Sequence, residues 1–306
     1  MDRRTWSPVR WARNGEVRLA FDTWGEENGG DPILLIMGMG INRQWWPDDL
    51  CRALAEQGFS VARYDNRDSG ESTYLPPVRT RKPFTALMRR RGDAYTAEDM
   101  ADDAIAVMDE LGWGSAHVFG ISLGGAIAQR VAIGHPDRVR TLTSMAAVPA
   151  DVSGPGLLRY INLFSMARLV RWNHPATREG AIQGSLDIAR FCASSRRPFD
   201  EEEACERAER LVDHGSRDNL AHSRQIGAQW HGPGIDAITV PTLVIHGQDD
   251  PLIRPRAAAD IASRVPGARP VVLPGVGHDV PGFARRPVAE LIRGLADEAP
   301  ASSGSR

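Results

Sequence analysis

The sequence predicts an α/β protein with a mostly parallel central sheet flanked by helices and interrupted by a helical insertion. Three observations carry this. Short apolar runs alternate with helical patterns over the first half of the chain. Between Pro155 and His231 only helical segments can be read. The strand pattern then resumes at Pro241 and continues to a final helix. Strands alternating with helices of this length require crossover connections, and hence parallel pairing with helices on both faces.

The elements follow in order. Glu16 to Trp24 places Val17, Leu19 and Phe21 on one face, as a half-buried antiparallel strand does. Glu26-Glu27-Asn28-Gly29-Gly30-Asp31-Pro32 is a turn cluster. Ile33 to Met37 is apolar on both faces, which suits a central parallel strand. Gly38-Met39-Gly40 ends it, a helix runs from about Pro47 to Gln57, and Phe59 to Tyr64 is the next strand, closed by Asp65-Asn66-Arg67-Asp68-Ser69-Gly70. Leu75 to Arg91, with three prolines and a cluster of basic residues, reads as a solvated surface loop. Thr96 caps a helix with Asp99 in its first turn and Met100, Ala104, Val107, Met108 and Leu111 along its buried stripe. Ala116 to Phe119 is a strand, Leu123 to Gly134 a helix and Val139 to Met145 a strand. The insertion carries helical segments near 155–170, 177–194, 199–214 and 219–230. Pro241 to His246, Arg256–Arg264, Pro270 to Leu273 and Pro287 to Leu295 complete the alternation. The expected organisation is a core over 1–150 and 235–300, a helical cap over 151–234 and a disordered tail at 301–306.

Bulk properties narrow the function. The chain has 306 residues, 42% hydrophobic and 25% charged, which is ordinary for a soluble globular protein. A net charge of -2 gives no steering toward nucleic acid or a membrane surface. Cys51, Cys192 and Cys205 are odd in number and lack a CxxC spacing, so neither a disulfide framework nor a zinc site is expected. The basic residues near Met1 have no apolar segment behind them, and no run is long enough to span a bilayer. The expectation is a cytoplasmic monomer or homodimer acting on a small molecule, with no cofactor and no metal.

The chemistry is organised around Gly120-Ile121-Ser122-Leu123-Gly124, between a strand and a helix. A Ser in a sharp strand-to-helix turn, with Gly two positions away on either side, is the pattern of a nucleophile elbow. A Ser hydroxyl needs a base, and the base an orienting acceptor. In parallel sheets such groups gather at the carboxyl ends of strands. Asp250 and His278 each follow a late strand, and the order Ser122, Asp250, His278 is the one expected for this architecture. Asp249 competes with Asp250, which is preferred because Pro251 favours an extended entry to the next helix; Asp151 is a second alternative. His117 and His246 fall within strands and read as packed. His135 ends a helix, and His174, His214, His222 and His231 belong to the insertion; none pairs with another at a metal-ligand spacing. The N–H of Leu123, at a helix N-terminus, and that of Met39, between Gly38 and Gly40, are the expected oxyanion donors. Trp45 and Trp46 are candidates for lining a substrate pocket.

These residues resemble the α/β-hydrolase superfamily over nearly the whole chain. Within it, Leu35-Ile36-Met37-Gly38, Trp46-Pro47-Asp48, the run from Tyr64 to Thr73 and Pro241-Thr242-Leu243-Val244-Ile245 resemble the aclacinomycin methylesterase-like hydrolases. The resemblance implies a cap inserted after the sixth strand, Ser122 as nucleophile, His278 as base, Asp250 as its orienter, and hydrolysis of a carboxylic ester, in the named member a methyl ester on a polyketide. The superfamily's usual His-Gly is Met37-Gly38 here, a feature shared with the methylesterase-like group. Asp65, Arg67 and Asp68 read as structural. The same triad serves lactone, carbon–carbon and peptide hydrolysis and biosynthetic rearrangement, and a non-catalytic ligand-binding protein on this fold is the reading from another class. A Ser at 122 argues against the epoxide hydrolases and dehalogenases, which use a carboxylate there.

Overall fold

Successive residues of the strand Asp31–Ile36 part to opposite sides of a sheet. Leu34 and Ile36 join one hydrophobic core while Ile33 and Leu35 join the other, and all four are fully buried. A strand covered on both faces in this way must be central. The structure is a computed structural model describing residues 6–26, 29–76, 94–169, 172–215 and 221–299. Its eight strands are β1 (Arg10–Asn14), β2 (Val17–Trp24), β3 (Asp31–Ile36), β4 (Phe59–Tyr64), β5 (Ala116–Ile121), β6 (Val139–Met145), β7 (Thr242–Gly247) and β8 (Arg269–Leu273). They lie in the order β1-β2-β4-β3-β5-β6-β7-β8. Pairing is antiparallel for β1/β2 and β2/β4 and parallel from β4 to β8.

Two helical layers cover the sheet. Helices α1 (Asp48–Glu56) and α9 (Gly282–Glu298) bury Leu50, Leu54, Val288 and Ile292 on one face. Helices α2 (Ala97–Glu110), α3 (Leu123–Gly134) and α8 (Arg256–Arg264) bury Met100, Met108, Ile127, Val131 and Ile261 on the other. The Thr96 cap closes as a full capping box, Thr96 Oγ1 accepting from Asp99 N–H and the Asp99 carboxylate from Thr96 N–H. Between β6 and β7 the chain runs through a 3₁₀ turn (Gly154–Arg159) and helices α4 (Leu163–Leu169), α5 (Arg178–Cys192), α6 (Glu201–Asp213) and α7 (Ala221–Gly227).

Several boundaries differ from those read in the sequence. Strand β1 was not expected: it is an edge strand with a single buried residue, Ala12, so it carries no apolar alternation. The segment expected as one helix over 155–170 breaks at Tyr160–Asn162, where the backbone instead bonds the loop after β7. There Asn162 N–H donates to Leu252 O at 2.9 Å and Arg254 N–H to Tyr160 O at 2.8 Å. Helix α9 begins at Gly282, ahead of Pro287, which it holds inside its second turn. Most of the basic loop (77–91), the first residues (219–220) of the helix expected over 219–230 and the tail 301–306 lie outside the described residues. Among the described residues no helix is long and apolar enough to cross a membrane.

The topology fixes where a ligand belongs. The chain leaves β3 for β4 on one side and returns to β5 on the other, so the carboxyl ends of β3 and β5 diverge at a switch point. The loop after β3 begins with Met37-Gly38-Met39-Gly40, and the residue after β5 is Ser122.

Candidate active site

Ser122 occupies a backbone conformation that L-residues avoid, with φ 58° and ψ −123°. Strain of this kind costs about 1–3 kcal/mol and persists only where the surroundings enforce it. Here the enforcement is visible. Ser122 N–H donates to Met145 O at 2.9 Å, tying the turn to the end of β6, and Ser122 O accepts from Gly125 and Ala126 N–H. The turn is so tight that a Cβ at Gly120 would sit 2.1 Å from Gly124 O, and one at Gly124 would sit 2.0 Å from Ile36 O. No side chain larger than hydrogen fits at either position.

A Ser preceding a helix ordinarily caps it with its hydroxyl. Ser122 makes no such bond. Its Oγ has no hydrogen-bond partner among the described residues, and the N–H of Leu123, first in α3, has no acceptor among them. The loop after β3 closes in from the side: a Cβ on Gly38 would be 3.3 Å from Ser122 Cβ. The Met39 N–H likewise has no acceptor among the described residues, whereas its neighbour Gly40 N–H is taken up by Gln225 Oε1 at 2.8 Å. Two unengaged backbone donors therefore lie on the two loops that meet at Ser122.

At the carboxyl ends of β7 and β8, His278 Nδ1 lies 2.7 Å from Asp250 Oδ2. The other oxygen, Oδ1, accepts from Leu252 and Ile253 N–H, both at 2.8 Å, so the carboxylate is fixed at both ends. Burial disfavours charge on Asp250, but the neighbouring His278 and His246 outweigh it and hold the carboxyl well below its usual range. Burial also disfavours charge on His278, and the Asp250 charge and hydrogen bond reverse this, raising its pKa above 6.5. An ionised carboxylate only accepts, so Nδ1 carries the proton and Nε2 presents a lone pair. The loop after β8 folds back across the end of β7, where a Cβ on Gly247 would meet Gly277 O at 2.1 Å, and His278 N–H donates to Cys192 O at the end of α5 at 2.7 Å. No Ser122–His278 hydrogen bond is formed among the described residues. Contacts of this type commonly tighten only with substrate in place.

The competing acids are committed elsewhere. Asp249 Oδ2 accepts from Ser194 Oγ at 2.6 Å, and Asp151 pairs with Arg264 and accepts from Ile235 N–H. The two tryptophans separate. Trp46 is fully buried against Phe119, with ring centroids 5.1 Å apart, and has no surface to offer a ligand, which corrects the expectation for that residue. Trp45 is half-buried, and the Arg207 guanidinium of α6 lies 5.2 Å from its ring centroid. Asp65 accepts from the N–H groups of Arg43 and Glu71, and Arg67 forks onto Asp103 at 2.6 and 2.7 Å. Asp68 forks onto Arg224 of α7 at 2.7 and 2.8 Å, so all three work as loop ties. Among the described residues no cluster of three or more His, Cys, Asp or Glu is arranged to hold a metal ion.

A family model for the alpha/beta hydrolase fold matches residues 31–283. The chain belongs to the α/β-hydrolase family. Among its relatives, the rhodomycin D methylesterase of Streptomyces peucetius is 31% identical, over 93% of this chain and 97% of that protein. The rhodomycin D methylesterase of Streptomyces sp. strain C5 is 30% identical over the same shares. Among solved structures, an enol-lactonase from Burkholderia xenovorans LB400 superposes with a TM-score of 0.70 at 20% identity, covering 94% of this chain and all of that one. That likeness speaks to the fold alone.

Two features of this α/β-hydrolase site escape sequence reasoning. His246, read as a packed strand residue, is indeed fully buried, yet its Nε2 lies 3.3 Å from Asp250 Oδ2 while donating to Ile253 O at 2.9 Å. Four residues of separation has no facing meaning across a strand end and a turn, so the spacing gives no signal. The second is Gln225, a polar residue on a short insertion helix, which nothing in its local sequence sets apart.

Proposed function

We propose that this chain hydrolyses carboxylic esters through Ser122, His278 and Asp250 by way of an acyl-enzyme. The observation that carries the reading is the His278–Asp250 pair, which leaves a basic Nε2 at the same carboxyl end of the sheet as a strained Ser122 whose hydroxyl caps nothing. Ser122 Oγ attacks the acyl carbon and its proton passes to His278 Nε2. The tetrahedral oxyanion is held by the N–H groups of Met39 and Leu123, the latter favoured by the positive end of α3. The carbon–oxygen bond to the alcohol then breaks, and His278 returns the proton to the leaving oxygen. Water, deprotonated by the same Nε2, attacks the acyl-enzyme and restores Ser122. The segment between β6 and β7 acts as the cap over this site, and Trp45 lines the acyl pocket beneath it.

The Streptomyces relatives, both rhodomycin D methylesterases at about 30% identity, favour a methyl ester as the bond cleaved, with methanol as the leaving alcohol. The test is a panel of bulky aromatic methyl esters, short-acyl nitrophenyl esters and lactones. The expected result is turnover of both ester classes, with kcat/KM highest for a bulky acid esterified to methanol. Turnover of lactones alone would replace the ester assignment, and no turnover of any member by folded protein would overturn the hydrolase reading.

A further inference from the structure

The loop that offers Met39 N–H is held by two amide side chains, one on each side of that donor. Asn66 Nδ2, after β4, donates to Met37 O at 2.9 Å. Gln225, from α7 of the insertion, accepts from Gly40 N–H at 2.8 Å through Oε1 and donates to Arg67 O at 2.9 Å through Nε2. The amide orientation of Gln225 is thereby settled, because only its oxygen can face an N–H and only its nitrogen can face a carbonyl. Gln225 is 2% exposed, so its amide is shielded from water. Next to it, Arg224 forks onto the buried Asp68, and the His222 ring packs where a Gly40 Cβ would stand. One short helix of the insertion is therefore fastened to the loop after β3, which carries Met39, and to the loop after β4.

The consequence is geometric. The peptide plane before Gly38 is fixed through Met37 O, and the plane before Gly40 is fixed through Gly40 N–H. The plane between them carries Met39 N–H, and its tilt is set by its two neighbours. We infer that Gln225 is a positioning residue for the oxyanion donor Met39, so that the insertion takes part in transition-state stabilisation as well as covering the site. The inference rests on the esterase reading above. It differs from a packing role in what it predicts: losing the Gln225 bond lets the Met39 plane rock, which weakens binding of the oxyanion and leaves ground-state binding nearly unchanged.

The test is Gln225→Met, which keeps the side-chain length and removes both hydrogen bonds. Hydrolysis of a short-acyl nitrophenyl ester gives kcat and KM, and inhibition by butylboronic acid reports the tetrahedral state. Ser122 Oγ adds to boron, its proton passes to His278, and a boronate oxygen takes the oxyanion position. A misaimed donor should cost less than the ~100- to 1000-fold of a deleted one, so kcat is expected to fall about 10- to 100-fold. The boronic acid Ki should rise by the same factor and KM should move by less than about 3-fold. Unchanged kcat and Ki in folded Gln225→Met would overturn the inference, as would a loss confined to KM. Should Gln225→Met fail to fold, Gln225→Asn replaces it, a side chain one methylene too short to reach Gly40 N–H that still carries an amide to donate toward Arg67 O. The same paired fall in kcat and boronic acid affinity is expected there, and its absence counts against the inference. If wild type turns over no ester, the esterase reading itself fails; if wild type is active and the variants match it, only the positioning role fails.

Discussion

Ser122→Ala is expected to lower kcat by about 10⁴-fold or more on any ester the wild type cleaves, while the chain stays folded. That factor corresponds to about 5.5 kcal/mol of transition-state stabilisation. The fold should tolerate the change because Ser122 Oγ supports nothing in it: the hydroxyl neither caps α3 nor bonds any described residue. The strained turn is held by backbone contacts from Ser122 N–H to Met145 O and from Gly125 and Ala126 N–H to Ser122 O, which Ala preserves. Activity and melting temperature together check this. A large loss of rate with an unchanged melting temperature is the predicted pattern, and a variant that retains a tenth of wild-type rate would remove Ser122 from the mechanism.

Asp250→Asn should be nearly as damaging, about 10⁴-fold in kcat, through the tautomer of His278. The reason lies in the two backbone donors on Oδ1. Leu252 and Ile253 N–H demand an acceptor at that position, so the amide oxygen of the variant must face them and its NH₂ must face His278. An NH₂ there needs the Nδ1 lone pair, which moves the imidazole proton to Nε2 and leaves no base toward Ser122. The pH profile provides a second reading with a definite sign. In the wild type the catalytically competent imidazole is neutral, and His278 has its pKa raised by Asp250, so kcat/KM should climb through a limb above pH 6.5. Without the carboxylate charge, burial becomes the dominant influence on His278 and lowers its pKa. The residual activity should therefore reach its plateau at a lower pH than wild type. A limb that stays in place would mean that another group governs it; Asp279, which burial pushes up to about 6, is the neighbour to examine.

Much of this architecture was legible because its causes are local. A strand apolar on both faces, such as Ile33 to Met37, has nowhere to go but the middle of a covered sheet. A Gly-x-Ser-x-Gly turn between strand and helix has few uses other than an elbow. The Pro after Asp250 favoured that residue over Asp249, and the structure sets Asp250 against His278 while Asp249 binds Ser194. What escaped the sequence depends on long-range packing. Strand β1 buries only Ala12, so its pattern is silent. Which of Trp45 and Trp46 is sealed into the core depends on Phe119, more than seventy positions away. Arg43, fully buried among Asp22, Asp65 and Glu71, looks in sequence like any surface cation. Gln225 acquires its two partners only when the insertion folds back over loops from the first seventy residues.

The central claim is that Ser122 carries the acyl group, and the most direct measurement is the mass of the protein caught during turnover. Mixing wild type with an excess of a slowly deacylated nitrophenyl ester and quenching in acid should show one acyl group added per chain. Peptide mapping should place that group on Ser122, with a nitrophenol burst of matching size. Steady turnover without an acylated chain, or an acyl group on a residue other than Ser122, would contradict the account.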